Sequence, residues 1–241
     1  LVPLTSCEFI SGLIYDAKKA DTRVDHMTSN FTITDDIIYI NFVSDRQTDS
    51  TFAIDTSGND ILSRIYFCDG DKEHSADQVK AYNNRLWMLG SSYTSKVLIF
   101  NPETGGTENV INYKEYNAHK MNFLPSLGLL ALMHGNGYDK GFSVTLIDIA
   151  SQSYKGTAYV PELAPNILDL DGVLYGSGGS MTLDSTKMGF GTYTLTGDVF
   201  EFNREFALSP ATDSVGACLV EPNKFLVLDG DEGKTYVVCD N

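Results

Sequence analysis

Five short segments carry the residues of this chain best suited to chemistry. They are Val24-Asp25-His26-Met27, Ala76-Asp77-Gln78-Val79, Ala118-His119-Lys120-Met121, Ala164-Pro165-Asn166-Ile167 and Thr212-Asp213-Ser214-Val215. Each runs from a small or β-branched residue, through a polar residue or proline and a second polar residue, to a large aliphatic one. The candidate ligand-binding residues are therefore Asp25, His26, Asp77, Gln78, His119, Lys120, Asn166, Asp213 and Ser214. Three kinds of chemistry suit them. Asp25, Asp77 and Asp213 as paired carboxylates would place an acid and a base on either side of a glycosidic bond. The same aspartates with His26 or His119 and Asn166 would hold Ca²⁺ or another divalent ion for hydrolysis. A polar ring with neither role would recognise a ligand, or cap a channel and bind ordered water.

Other signatures are weaker. No glutamate joins the set, and no G-x-S-x-G supports serine catalysis. The four histidines, His26, His74, His119 and His134, form no HExxH spacing. Asp69-Gly70-Asp71 and Asp229-Gly230-Asp231 lack the remaining ligands of a calcium loop and read as solvated turns. Trp87 and most of the tyrosines and phenylalanines read as core.

The elements that must position these residues repeat with them. Met27, Val79, Met121, Ile167 and Val215 close the five segments, a period of roughly 42 to 52 residues, which with strand-like text is the pattern of a β-propeller. Second strands follow at Ile37-Ile38-Tyr39-Ile40, 86–89, Leu129-Leu130-Ala131-Leu132, Val173-Leu174-Tyr175 and Phe225-Leu226-Val227-Leu228. Most come after a turn: Asp35-Asp36, Asn83-Asn84, Leu127-Gly128, Asp171-Gly172 or Asn223-Lys224. Third strands end in an apolar residue followed by Asp or Asn: Ile54-Asp55, Phe100-Asn101, Ile147-Asp148, Phe202-Asn203 and Cys239-Asp240. Near-continuous apolar runs fit strands covered on both faces. Loops are expected at 43–49, 90–95, 134–141, 176–191 and 229–233, on the face where the inner strands start. The longest, 177–191, carries Met181, Met188 and Phe190 and reads as an apolar flap.

The second repeat carries a family resemblance. Val97-Leu98-Ile99-Phe100-Asn101-Pro102-Glu103-Thr104-Gly105 resembles the YVTN type of propeller repeat, in which an aliphatic strand ends in an Asp/Asn-Pro-x-Thr-Gly turn. The other repeats keep only the Asp or Asn. The resemblance implies a propeller and little about activity.

The expected fold is thus all-β: a single domain over 1–241, a five-bladed β-propeller of four-stranded antiparallel blades. The final repeat has only three strands, so the strand-like stretch 8–15 is expected to complete that blade and remove the free edge. Six blades is the alternative, because Ile14-Tyr15-Asp16 also looks like a third-strand ending. This closure would set Cys7 opposite Cys239 and predicts a disulfide between them, worth about 4–5 kcal/mol in the simple loop-entropy model. Cys68 and Cys218 form the second expected pair.

Composition limits the partners. Thirty-two acids against 17 bases give a formal charge of −15, which argues against nucleic acid and anionic membranes. No apolar run is long enough to span a bilayer. The cysteines favour an oxidising compartment, hence a secreted or extracellular protein, periplasmic if bacterial. Leu4-Thr5-Ser6-Cys7 fits a bacterial lipobox, but only Leu1-Val2-Pro3 stands where an apolar run is needed. Asn30-Phe31-Thr32 is an N-glycosylation sequon inside an expected inner strand. The expected function is recognition of a small molecule, glycan or protein at the channel mouth, with no cofactor. The alternative is a hydrolase, glycosidase-like or metal-dependent with Ca²⁺ in the central channel. Oligomeric state is not legible.

Overall fold

The computed structural model describes residues 28–33, 37–43, 50–55, 61–69, 72–74, 76–90, 95–104, 106–138, 141–160, 166–182, 185–206, 214–221, 224–229 and 235–239. It divides into two compact units, Leu1–Val110 and Ile111–Asn241. The fold is all-β. Among the described residues there is no α-helix, and no helix long and apolar enough to cross a membrane.

In the first unit β1 (Thr28–Ile33), β2 (Ile37–Val43), β3 (Ser50–Asp55), β4 (Ile61–Asp69) and β5 (Lys72–His74) form one antiparallel sheet in chain order. The strands β6 (Ala76–Tyr82), β7 (Arg85–Gly90), β8 (Lys96–Asn101) and β9 (Gly106–Asn112) form a second, four-stranded sheet. Leu86 through Leu89 and Val97 through Ile99 are almost wholly buried, so both faces of these strands are covered. That is the physical reason for their unbroken apolar text. Tyr39 and Ala53 of the first sheet share a core with Val79, Leu86, Met88 and Leu98 of the second. The Ala81 N–H also donates to Thr32 Oγ1 at 3.1 Å, tying β6 to β1.

In the second unit the strands are β10 (Ala118–Leu124), β11 (Leu129–Tyr138), β12 (Gly141–Asp148), β13 (Ser153–Val160), β14 (Asn166–Leu170), β15 (Val173–Thr182), β16 (Ser185–Thr196) and β17 (Val199–Phe206). Two four-stranded meanders join through their outer strands, giving the order β10-β11-β12-β13-β17-β16-β15-β14. The join is a single parallel step, Tyr159 against Val199, with the Tyr159 N–H donating to Asp198 O at 2.8 Å. The end strands β10 and β14 meet again, because buried Asn122 donates from Nδ2 to Ile167 O at 2.8 Å. The sheet is therefore nearly closed on itself. A three-stranded sheet, β18 (Ser214–Glu221), β19 (Lys224–Asp229) and β20 (Thr235–Cys239), follows it.

Turn chemistry explains the repeated markers. Asn83 and Asn84 have φ of 49° and 56°, and Asp171 and Gly172 have φ of 53° and 84°, the left-handed pairs that a two-residue hairpin needs. Asn101 Oδ1 accepts the N–H groups of Glu103 and Thr104 at 2.9 and 3.3 Å. Asp148 Oδ1 accepts the N–H and hydroxyl of Ser151 at 2.7 and 2.8 Å. In these two repeats the Asn or Asp at the end of the third strand is thus the residue that folds the next turn. After β10 the chain uses one 3-10 turn, Pro125–Leu127, closed by Gly128 at φ 66°.

Two expectations about loops are corrected. Residues 177–191 are not a flap loop. They lie in the long β15–β16 hairpin, where Gly176 pairs with Gly191, Gly178 with Gly189 and Thr182 with Ser185. Glycine is depleted in strands, so its density read as a loop, yet here glycine faces glycine across the ladder. Consequently the third strand of that repeat is β16, which ends at Thr196 and turns through Gly197 at φ 63°. Phe202-Asn203 belongs to the fourth strand, β17. The expected loop from His134 is likewise strand: β11 continues to Tyr138. The stretch 8–15 and Cys7 lie outside the described residues, and so do the side chains of Cys68, Cys218 and Cys239.

This architecture predicts a far-ultraviolet circular dichroism spectrum dominated by β-structure. A helical content near the globular average of roughly a third would be incompatible with it.

Candidate functional site

Three strand starts, those of β6, β10 and β18, share one backbone device. In β6, Ala76 pairs with Gly90 and Gln78 with Leu89, so Asp77 is the extra residue of a β-bulge. In β10, Ala118 pairs with His134 and Lys120 with Met133, so His119 is the extra residue. In β18, Ser214 pairs with Asp229 and Gly216 with Leu228, which leaves Val215. A bulge frees one residue from the ladder and re-aims it, and bulges concentrate beside functional sites. Around them the segment pattern is structural. Ala76 and Ala118 are buried to within 1%, where a longer side chain has no room, and Val79, Met121 and Ile167 are wholly buried.

The structure treats the nine candidate residues differently. Asp77 and His119 occupy the same bulge position in two repeats. Asn166 opens β14, which pairs without a bulge, Asn166 with Ser177 and Ile167 with Gly176. Ser214 takes the place of Ala76 and Ala118, and Val215 takes the bulge. The last repeat is therefore offset by two residues from the alignment read in the sequence, in which Val215 matched Val79. Asp25, His26 and Asp213 lie outside the described residues.

Gln78 and Lys120 follow the two bulges and are part-buried. Among the described residues no carboxylate pairs with Lys120, and burial holds its ammonium below the ordinary lysine range. Alternation puts Lys120 on the same strand face as Asn122. An ammonium so placed costs desolvation energy that an anionic or carbonyl group on a ligand would offset.

A second polar cluster was not legible in the sequence. Glu115, in the connector that leads into β10, accepts the Thr145 hydroxyl at 2.8 Å on Oε2 and the Thr157 hydroxyl on Oε1. His134, fully buried in β11, has Nε2 at 2.9 Å from Thr145 Oγ1 and Nδ1 at 2.9 Å from Tyr116 O. Burial alone would raise the Glu115 pKa. The hydrogen bonds from Thr157 and Thr145, its own backbone N–H and the charge of His134 outweigh that, and the carboxyl lies below its ordinary range.

At the opposite end of β14 and β15 lies a groove of about 340 Å³, lined by Ser126, Leu127, Val173, Tyr193, Leu195 and Asn203 among others. Leu127 and Val173 are exposed at its rim. Its shape is held by Asp169, which accepts the N–H groups of Ser126 at 2.6 Å and Gly172 at 3.1 Å. Among the described residues no group of three or more His, Cys, Asp or Glu is placed to hold a metal ion.

No protein-family model and no curated protein matches the chain. Among solved structures 514 chains match, so the architecture is common and does not point to one reaction. One of them is the hydrazine synthase of Kuenenia stuttgartiensis, with a TM-score of 0.54 and 10% sequence identity over 87% of this chain. The match spans 65% of that chain, less than two thirds of its length. At this identity the likeness shows the fold alone: this chain shares an all-β architecture with part of that protein.

Proposed function

We propose that the protein is a five-bladed β-propeller that recognises a small molecule, glycan or protein at the face where its inner strands start. The observation that carries this reading is the recurrent bulge. The same irregularity stands at the same strand position in two repeats, and each time it frees a polar residue, Asp77 or His119. Part-buried Gln78 and Lys120 follow directly. In a closed ring of such blades the strand starts share one mouth. Asp25, His26, Asn166, Asp213 and Ser214 are proposed to complete that face. The four cysteines read in the sequence support a secreted or extracellular setting.

The test is a glycan array together with a thermal-shift panel of small metabolites on the purified protein. The expected result is a class of compounds that raises Tm saturably and competes for one site. A panel in which chromogenic glycosides are cleaved would move the reading to the hydrolase alternative. Binding that is saturable but lost only when the rim of the Leu127–Val173 groove is changed would overturn the placement of the site.

A further inference from the structure

Asn203 has the residue type of a turn former but no turn to fold. It lies inside β17, where Thr192 pairs with Arg204 and Tyr193 with Phe202, so Asn203 is the extra residue of a β-bulge. A bulge takes a residue out of the ladder and re-aims it. Here the side chain reaches across to β16, and Nδ2 donates to Thr194 Oγ1. Thr194 accepts that bond, so its own hydroxyl proton is still to be given, and Asn203 Oδ1 is still able to accept. Both residues are exposed, and both line the groove of about 340 Å³ at this end of the sheet. Exposed Ser126 and part-buried Thr192 bring two more hydroxyls to the same groove.

The walls of the groove are fixed in advance. Asp169 takes the Ser126 N–H on Oδ2 and the Gly172 N–H on Oδ1, so one carboxylate ties the 3-10 turn to the β14–β15 hairpin. Leu127 and Val173, 37% and 41% exposed, give the rim an apolar edge on either side of that tie. Among the described residues that line the groove there is no Lys, Arg, His, Asp or Glu, so a charged ligand would lose water there and gain no counter-charge. An extended peptide finds no strand to join at two of the walls: β15 is already paired with β14 and β16, and β16 with β15 and β17. What fits is a neutral molecule with hydroxyls on its edge and C–H groups on its face, which describes a sugar ring.

We infer that this groove is a second binding site, for a neutral saccharide, at the end of β14 and β15 opposite the inner-strand starts. The Thr194 hydroxyl donates to one sugar oxygen and Asn203 Oδ1 accepts from the hydroxyl beside it. Ser126 and Thr192 take further hydroxyls, and Leu127 and Val173 pack against the C–H face of the ring. The groove is at the small end of ligand pockets, which run from about 300 to 1,000 Å³, so it holds a short saccharide or the end of a longer one. A shallow site of neutral hydrogen bonds binds in the millimolar range. The inference rests on nothing at the strand starts, and either site can fail without the other.

The test is a titration of the ¹⁵N-labelled full chain with maltose, cellobiose and lactose, and with glucuronic acid beside glucose as the charged comparison, followed by amide chemical shifts. At least one neutral sugar should shift the amides of Ser126, Gly172 and Thr194 saturably. Thr194→Val should weaken that binding about five- to tenfold, the effect of one neutral hydrogen bond, and Thr194→Ser should restore it. Val173→Asp should weaken it as well, by placing a charge on the apolar rim. Thr196→Val, two residues along β16 and bonded to Glu201 instead, should leave it unchanged. The inference is overturned if no neutral sugar moves these amides, if Thr194→Val binds like the parent protein, or if glucuronic acid binds more tightly than glucose. Asp77→Asn with His119→Asn should leave the groove shifts as they are. A glycan array whose hits are all lost in the groove variants and kept in that double variant would sink the strand-start face and leave the groove standing.

Discussion

Phe200→Ala is expected to lower the stability of the second unit by about 3–5 kcal/mol, the range for emptying a well-packed aromatic site. Phe200 is fully buried in β17. The cluster around it draws on both halves of the eight-stranded sheet: Leu124, Met133, Val144 and Ala158 from one meander, Ile167, Leu174 and Tyr193 from the other. Backbone pairing between the halves is a single parallel step, Tyr159 against Val199. One bridge cannot hold two sheets together, so the shared apolar core must. The neighbouring Tyr193 and Phe202 rings meet edge-to-face at 5.1 Å and stiffen the wall, which limits how far the cavity can collapse. Urea denaturation followed by fluorescence measures the loss. Val173→Ala, at a position 41% exposed, is the comparison and should change stability by less than about 0.5 kcal/mol. A loss below about 1 kcal/mol at Phe200 would mean that the two meanders do not share one core.

Much of this fold was legible because its signals are local. A hairpin pair such as Asn83-Asn84 must adopt positive φ, and few residues other than glycine and asparagine do so without strain. The Asp or Asn ending a third strand is bound to its turn by its own side chain, as Asn101 and Asp148 show. Asn101 also donates to Glu108, which takes Arg85 as a second partner, so one short motif organises a whole sheet corner. The β15–β16 hairpin misled because glycine's local meaning is loop, whereas Gly176 opposite Gly191 is a property of two strands brought together. A register of that kind cannot be read one strand at a time.

The site divides the same way. The small-polar-polar-aliphatic segment is legible because two of its four positions are set by burial. Its bulge is not, because an extra residue shows only against a partner strand. That is why the last repeat was aligned two residues out, with Val215 in place of the polar residue at the bulge. The polar cluster around Glu115 left no trace at all. Glu115 meets Thr145 and Thr157 across 30 and 42 residues of chain. His134, read as the start of a loop, instead lies within β11, which runs on to Tyr138.

The bulge frame sharpens what substitution at the proposed face should do. Asp77→Asn together with His119→Asn is expected to weaken binding of a ligand found by the array or the thermal-shift panel by at least about a hundredfold. Hydrogen bonds to charged groups contribute about 1.5–3 kcal/mol each, and two of them are removed. Stability should change little, because a bulged residue contributes no ladder pairing of its own. Asp213→Asn, which the sequence ranks equal to Asp77, should cost less than about tenfold, since the bulge of β18 falls on Val215 and not on an aspartate. Lys120→Met tests the same face by a different route. It should abolish recognition of an anionic or carbonyl group while removing a desolvation cost, so that Tm is unchanged or raised. Isothermal titration of the three variants with the same compound separates these outcomes. If the Asp77–His119 double variant binds like the parent protein, the strand starts only cap the fold. Recognition would then belong to the Leu127–Val173 groove, where Val173→Asp should be the substitution that removes it.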